Sequence, residues 1–128
     1  MFEKLELFRM ATAMATHAGQ RQAVAAQNVA NADTPGYQAR DLPKFQSIYR
    51  PADAPATARA TRDGHLHGAR EGAVVAAAFV TGEEAAPNGN SVSLETEMLK
   101  SVDAKRQHDR ALAIYKSGLN ILRSTIRG

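Results

Sequence analysis

The sequence predicts a mainly α protein: two long terminal helices forming a coiled-coil-like hairpin, joined by an irregular middle segment with short strands. Three observations predict it. Of 31 large apolar residues, 14 lie in residues 1–50 and 12 in residues 92–128, which leaves 5 for residues 51–91. All five prolines, Pro35, Pro43, Pro51, Pro55 and Pro87, fall between positions 35 and 87. The apolar residues at both ends recur at steps of three and four, the spacing of one helix face. The chain thus divides into an N-terminal helix with its exit (1–37), an Ala-, Gly- and Pro-rich middle (38–92) and a C-terminal helix (93–128).

The first helix is expected over residues 3–31. Leu7, Ala11, Met14, Ala18, Gln22, Ala25 and Val29 form its stripe, and Leu5 and Phe8 widen it at the start. Glu3 and Glu6 suit the positive end of the helix dipole. The stripe is mostly small, so a partner helix can approach closely. The second long helix is expected over residues 94–126, with Ser93 as N-cap and Glu95 and Glu97 in its first turn. Leu112, Tyr115, Leu119, Leu122 and Ile126 alternate steps of three and four, which is a coiled-coil seam. Traced backward, the seam meets His108, Lys105 and Ser101 before Met98 and Leu94, so its middle is wetter than its ends. In the middle segment, residues 73–80 read as one short strand and Asn88-Gly89 as a turn.

Composition narrows the function. Of 56 apolar residues 25 are alanine, and Leu, Ile, Val and Phe total 24 of 128, a thin core for a lone monomer. An assembly subunit is the expectation. There is no cysteine, hence no disulfide, thiolate metal site or thiol nucleophile. No apolar run is long enough to span a membrane. The first residues, Met1-Phe2-Glu3-Lys4-Leu5-Glu6-Leu7, do not read as a secretory signal, so a cytosolic protein or one exported without a cleaved signal is expected. The pI near 9.5 leaves open a soluble helical-hairpin adaptor or a nucleic-acid-binding module as the rival reading. Against it, Lys105, Arg106 and Arg110 alternate with Asp103 and Asp109 and have only Tyr115 as a nearby aromatic. His65-x-His67 reads as an exposed loop pair, and His17 and His108 as surface residues of their helices. Gly64, Gly68 and Gly72 lack the Lys-Ser/Thr ending of a phosphate loop. Asp33, Asp41, Glu83 and Glu84 come with neither a nucleophile nor an oxyanion device.

The most informative segment closes the first helix: Asn28-Val29-Ala30-Asn31-Ala32-Asp33-Thr34-Pro35-Gly36-Tyr37. Asn28 and Asn31 share a face. Asn31 or Asp33 can end the helix by adopting the left-handed conformation. Pro35-Gly36 fits the central positions of a type II turn, where proline sets φ and glycine takes φ > 0. Tyr37 then opens an extended segment as an aromatic anchor.

Asn28, Asn31, Thr34, Gly36 and Tyr37, in the pattern Asn-x-x-Asn-x-x-Thr-x-Gly-Tyr after a long N-terminal helix, resemble the signature of bacterial flagellar rod and hook proteins. Gln38-Ala39-Arg40-Asp41-Leu42 is similar to the proximal rod subunit of that family, as are Thr61, His65, Leu66, Gly68 and residues 89–98. Ser93 departs from the family, which more often has an acidic cap there. The resemblance implies a structural, non-enzymatic subunit of the basal-body rod, without metal, cofactor, small-molecule substrate or nucleic acid. It implies export of the unfolded chain through the flagellar type III apparatus to the periplasmic rod. The implied partners are copies of the chain, other rod proteins, the membrane ring and export-gate base, and the small rod adaptor.

Overall fold

The computed structural model describes residues 2–51 and 77–128. In chain order the elements are α1 (Phe2–Ala30), β1 (Arg40–Asp41), α2 (Phe45–Ile48), β2 (Phe79–Val80) and α3 (Leu94–Arg127). α1 and α3 pack against each other along their lengths as an antiparallel hairpin. Phe8 meets Tyr115 edge to face at 5.0 Å, Gln107 donates to Met14 O at 3.0 Å, and Lys4 Nζ reaches Thr125 Oγ1 at 3.4 Å. Both helices fall within a residue of the expected bounds. Ser93 caps α3 as expected, its hydroxyl accepting from Thr96 N at 3.4 Å.

The contact between the helices is a seven-residue repeat of small residues. α3 buries Glu97, Ala104, Ala111 and Gly118, and α1 buries Ala11, Ala18 and Ala25, each seven apart. A Cβ at Gly118 would come within 3.0 Å of Phe8 Cε1, so the backbones approach as closely as the side chains allow. The seam expected on α3 lies beside this contact. Leu112 and Leu119 stand one residue beyond Ala111 and Gly118, on a neighbouring face. On α1 a second set, Met14, Arg21 and Asn28, alternates with this repeat, and Gln22 and Val29 of the expected stripe are exposed. A strict alternation of three and four from Ala11 reaches 21 and 28; the expected stripe slipped by one at its C-terminal half.

The chain between β1 and Pro51 covers a second face of α1. Phe45, buried, joins Ala13, Met14 and Ala111 in the core and stacks on Tyr49 with ring centroids 5.1 Å apart. α2 was not anticipated; it is a single turn, too short to show periodicity. Tyr49 Oη donates to the Glu6 carboxylate. Burial, with help from that carboxylate, pushes the Tyr49 phenol up to about 12.

His17, expected on the surface, is 1% exposed. Its Nε2 lies 2.7 Å from Pro43 O and its Nδ1 2.9 Å from Gln107 Nε2. Pro43 O can only accept, so Nε2 carries the proton and Nδ1 accepts from the amide. One imidazole thereby ties α1 to α3 and to the covering loop. His108 is partly buried. Of the strand expected over residues 73–80, the described part forms a strand only at Phe79–Val80, which pairs antiparallel with Arg40–Asp41. His65, His67, Thr61, Leu66, Gly68 and the other expectations placed on residues 52–76 lie outside the described residues.

Two outcomes check this packing. Ala111→Leu should overfill the repeat and cost about 1–3 kcal/mol in denaturant unfolding, while Ala113→Leu, on the exposed face, should cost under about 0.5 kcal/mol. Equal effects would mean that the repeat is not the contact. The phenol of Tyr49 ionises near its ordinary value in the unfolded chain and about two units higher in the folded one. Its stabilising contribution is therefore complete below pH ~10 and lost as pH rises toward ~12. Tyr49→Phe should remove that alkaline component, read as ellipticity against pH.

Candidate functional site

The ten residues that end α1 form one half of a clasp. Asn28 is fully buried. Its Nδ2 donates to Arg40 O at 2.7 Å, and its Oδ1 accepts from Arg40 N at 3.1 Å and from Tyr37 Oη at 3.1 Å. The carboxamide thus pairs with both backbone groups of Arg40, as a neighbouring strand would. Tyr37 anchors the extended segment, as expected, through its hydroxyl. Arg21, of the same set as Asn28, adds an ion pair to Asp41 at 3.2 Å.

Asn31 works differently. Its Nδ2 donates to Gln27 O at 2.8 Å and its Oδ1 accepts from Thr34 Oγ1 at 3.2 Å, so it closes the helix end onto the turn. Neither Asn31 nor Asp33 is left-handed: among the described residues every positive φ belongs to glycine. The helix unwinds instead through successive tight turns, Ala32 N to Val29 O at 3.1 Å and Thr34 N to Asn31 O at 3.1 Å. Pro35-Gly36 forms the expected type II turn, with Gly36 at φ 75° and Tyr37 N donating to Thr34 O at 3.3 Å.

The other half of the clasp precedes α3, and the reading of the motif by itself missed it. Asn90, 4% exposed, donates through Nδ2 to Asn31 O at 2.8 Å and to Thr34 O at 2.7 Å, while its Oδ1 accepts from Val92 N at 2.8 Å. Gly36 N donates to Asn88 O at 3.0 Å, Ser91 N to Tyr37 O at 3.0 Å, and Ala39 N to Ser91 Oγ at 2.8 Å. The chain turns here as expected, one residue earlier than the Asn88-Gly89 pair: Gly89 N donates to Ala86 O at 2.8 Å, with Pro87 and Asn88 at the central positions. A Cβ on Gly89, whose φ is 83°, would lie 3.2 Å from Gly36 Cα, so two glycine backbones pack face to face. The signal in the sequence was the run Asn88-Gly89-Asn90-Ser91, a cluster of turn formers at the entry to a helix.

Of the seam residues, Leu112, Tyr115 and Ile126 are exposed, Ile126 to 85%, and Leu119 and Leu122 are partly buried. Among the described residues no group of His, Asp and Glu could hold a metal, and no helix is long and apolar enough to cross a membrane.

A long helix closed by this clasp returns through a second helix with an open apolar stripe. A model of the flagella basal body rod protein family matches residues 10–38, which span the end of α1 and the motif. The flagellar basal body rod protein FlgB of Agrobacterium fabrum is 30% identical over 128 residues, covering 98% of this chain and 96% of that protein. FlgB of Escherichia coli is 32% identical over 117 residues, covering 82% and 84%. FlgB of Salmonella typhimurium is 28% identical over 116 residues, covering 85% and 84%. The chain belongs to the FlgB family, the structural rod subunits of the bacterial flagellar basal body.

The two glycines of the clasp should respond differently to substitution. At Gly36 a Cβ meets nothing within 4 Å, so the obstacle is φ alone. Gly36→Asn should be tolerated better than Gly36→Val, which should cost about 1–3 kcal/mol. At Gly89 the steric obstacle is added, and Gly89→Asn should lower the melting temperature as much as Gly89→Val does. A Gly36→Val variant that melts like the parent chain would mean that the turn is forgiving.

Proposed function

We propose that this chain builds the rod through a second seam on α3, with the hairpin as the preformed unit and the clasp as the device that sets its shape. The observation that carries the proposal is that α3 has two adjacent heptad stripes and the hairpin uses one. Ala104, Ala111 and Gly118 face α1; Met98, Leu112, Leu119 and Ile126 repeat one position further round, interrupted by Lys105, with Tyr115 and Leu122 between the stripes. Met98 is 68% exposed and Leu112 44%. An apolar stripe at seven-residue spacing fits a further helix. Supplied by neighbours through unlike surfaces, such contacts propagate as a helical array rather than closing into a small oligomer. Copies of the chain and other rod subunits are the partners this reading requires. The family resemblance adds the membrane ring and export-gate base and the small rod adaptor at one end, delivery through the flagellar type III apparatus, and a periplasmic position. The role is mechanical and involves no catalysis. Nothing among the described residues favours the adaptor or nucleic-acid reading.

The test separates the two stripes. Leu112→Asp should leave the stability of the isolated chain within about 0.5 kcal/mol of the parent, because residue 112 already faces water. In the rod it would bury an unpaired carboxylate at a cost of several kcal/mol. Loss of swimming with normal secreted levels is the expected outcome. Normal motility in Leu112→Asp, and in Leu119→Asp beside it, would remove the second seam.

A further inference from the structure

We propose that Asn88 is a self-modification site gated by the clasp: when the clasp is open, its side chain condenses with the backbone nitrogen of Gly89, loses ammonia and passes on to aspartate and isoaspartate. This chemistry is independent of how the hairpin assembles.

The reaction asks three things of an asparagine: a following nitrogen that can reach Cγ, a carbonyl oxygen able to take up charge, and an amide free to leave. Asn88 meets all three. Gly89 has no side chain to obstruct its nitrogen. Asn88 Oδ1 accepts from Asn90 N at 3.0 Å, so a donor already points at the atom where negative charge would develop. Asn88 is exposed, and its Nδ2 takes part in no hydrogen bond among the described residues. The other four asparagines each fail. Asn28 and Asn90 are buried with both ends of the carboxamide bonded. The Nδ2 of Asn31 is held by Gln27 O at 2.8 Å. Asn120 lies within α3 and is followed by β-branched Ile121.

The closed clasp restrains the same atoms. The peptide between Asn88 and Gly89 is held at both polar groups: Asn88 O accepts from Gly36 N at 3.0 Å, and Gly89 N donates to Ala86 O at 2.8 Å. To react, Gly89 N must give up that proton and swing toward Cγ, and both bonds oppose this. The bonds from Asn90 to Asn31 O at 2.8 Å and Thr34 O at 2.7 Å keep the turn against the end of α1. Opening the clasp releases the peptide. The bond from Asn90 N to Asn88 Oδ1 spans two residues and can persist as a local turn. Asn88 is thus poised by a local bond and restrained by long-range ones.

In the reaction, Gly89 N loses its proton to solvent base and its electron pair forms a bond to Asn88 Cγ. The Cγ–Nδ2 bond breaks, Nδ2 leaves with a proton as ammonia, and a succinimide ring closes. Water then adds at one of the two ring carbonyls. Cleavage of the Cγ–N bond gives aspartate. Cleavage of the bond between Asn88 C and Gly89 N gives isoaspartate, with the main chain rerouted through Cβ and Cγ. Nothing is oxidised or reduced. Isoaspartate takes the carbonyl that Gly36 N requires out of the main chain and lengthens the path to Gly89, where a Cβ would already lie 3.2 Å from Gly36 Cα. A chain so altered no longer closes the clasp as the parent does. Time spent unclasped is recorded covalently at one residue.

The experiment incubates the full chain in one mildly alkaline buffer, folded and in guanidinium, and follows every asparagine by peptide mass spectrometry. Fragmentation across residue 88 distinguishes isoaspartate from aspartate. In guanidinium Asn88 should convert about tenfold or more faster than any other asparagine, and in the folded chain about tenfold or more slower than in guanidinium. Two variants locate the gate. Asn90→Asp keeps the acceptor for Val92 N and loses both donors to the end of α1, whereas Ala111→Leu strains the hairpin contact and leaves the clasp whole. With denaturant adjusted so that both are equally stable, Asn88 should convert about threefold or more faster in Asn90→Asp. If that variant does not fold, Gly36→Val, which strains the turn holding Asn88 O, replaces it in the same comparison. The purified isoaspartate chain should melt below the parent, while Asn88→Asp, which keeps the main chain and the Oδ1 acceptor, should melt close to it. Equal rates in the folded and unfolded chain, another asparagine converting first in guanidinium, equal rates in the two variants at matched stability, or an isoaspartate chain that melts like the parent would each overturn the proposal.

Discussion

In the interior beside the end of α1, the Asn28 carboxamide takes up the N–H and C=O of Arg40 and the hydroxyl of Tyr37, all at 3.1 Å or less. Those backbone groups would otherwise be buried beside a helix with nothing to bond, at a penalty of ~1–3 kcal/mol each. Meeting them with a side chain lets a non-helical segment run back along the helix it has just left. Everything downstream follows from that return. β1 is placed for β2, Pro43 reaches His17, Phe45 reaches Ala13, and residues 88–91 find the outer edge of the turn. A carboxylate in place of the carboxamide would keep the acceptor and lose the donor, and an alanine would lose both.

The hairpin beyond the clasp is held mainly by proximity. Alanine and glycine at seven-residue intervals bring two backbones together and bury little apolar area, so Met98, Leu112 and Ile126 of α3 stay outside the contact. The usual order of a globular protein is thereby inverted. The inner seam is small and the outer one large, and the same helix holds its own chain through one face and leaves an apolar stripe open on the next.

The two helices, their cap at Ser93 and the Pro35-Gly36 turn were all legible in the sequence, because each depends on residues near one another in the chain. The phase of the seam was not. Leucine at 112, 119 and 122 is a louder signal than alanine at 104 and 111, and hydrophobicity alone assigns the hairpin contact to the louder stripe. His17 was misplaced for a related reason: its partners Pro43 and Gln107 are 26 and 90 residues away. Asn88-Gly89 signalled a turn, but the bonds of Asn90 beside it to Asn31 and Thr34 span 59 and 56 residues. A local pattern names the turn but not the turn it docks against.

The outer seam also gives assembly a characteristic response to temperature. Met98, Leu112, Tyr115 and Ile126 are hydrated in the free hairpin, and burying them releases ordered water with a negative change in heat capacity. Contacts of this kind weaken on cooling, whereas the hydrogen bonds of the clasp do not depend on that release. An assembly held through this stripe would therefore come apart in the cold into hairpins that are still clasped.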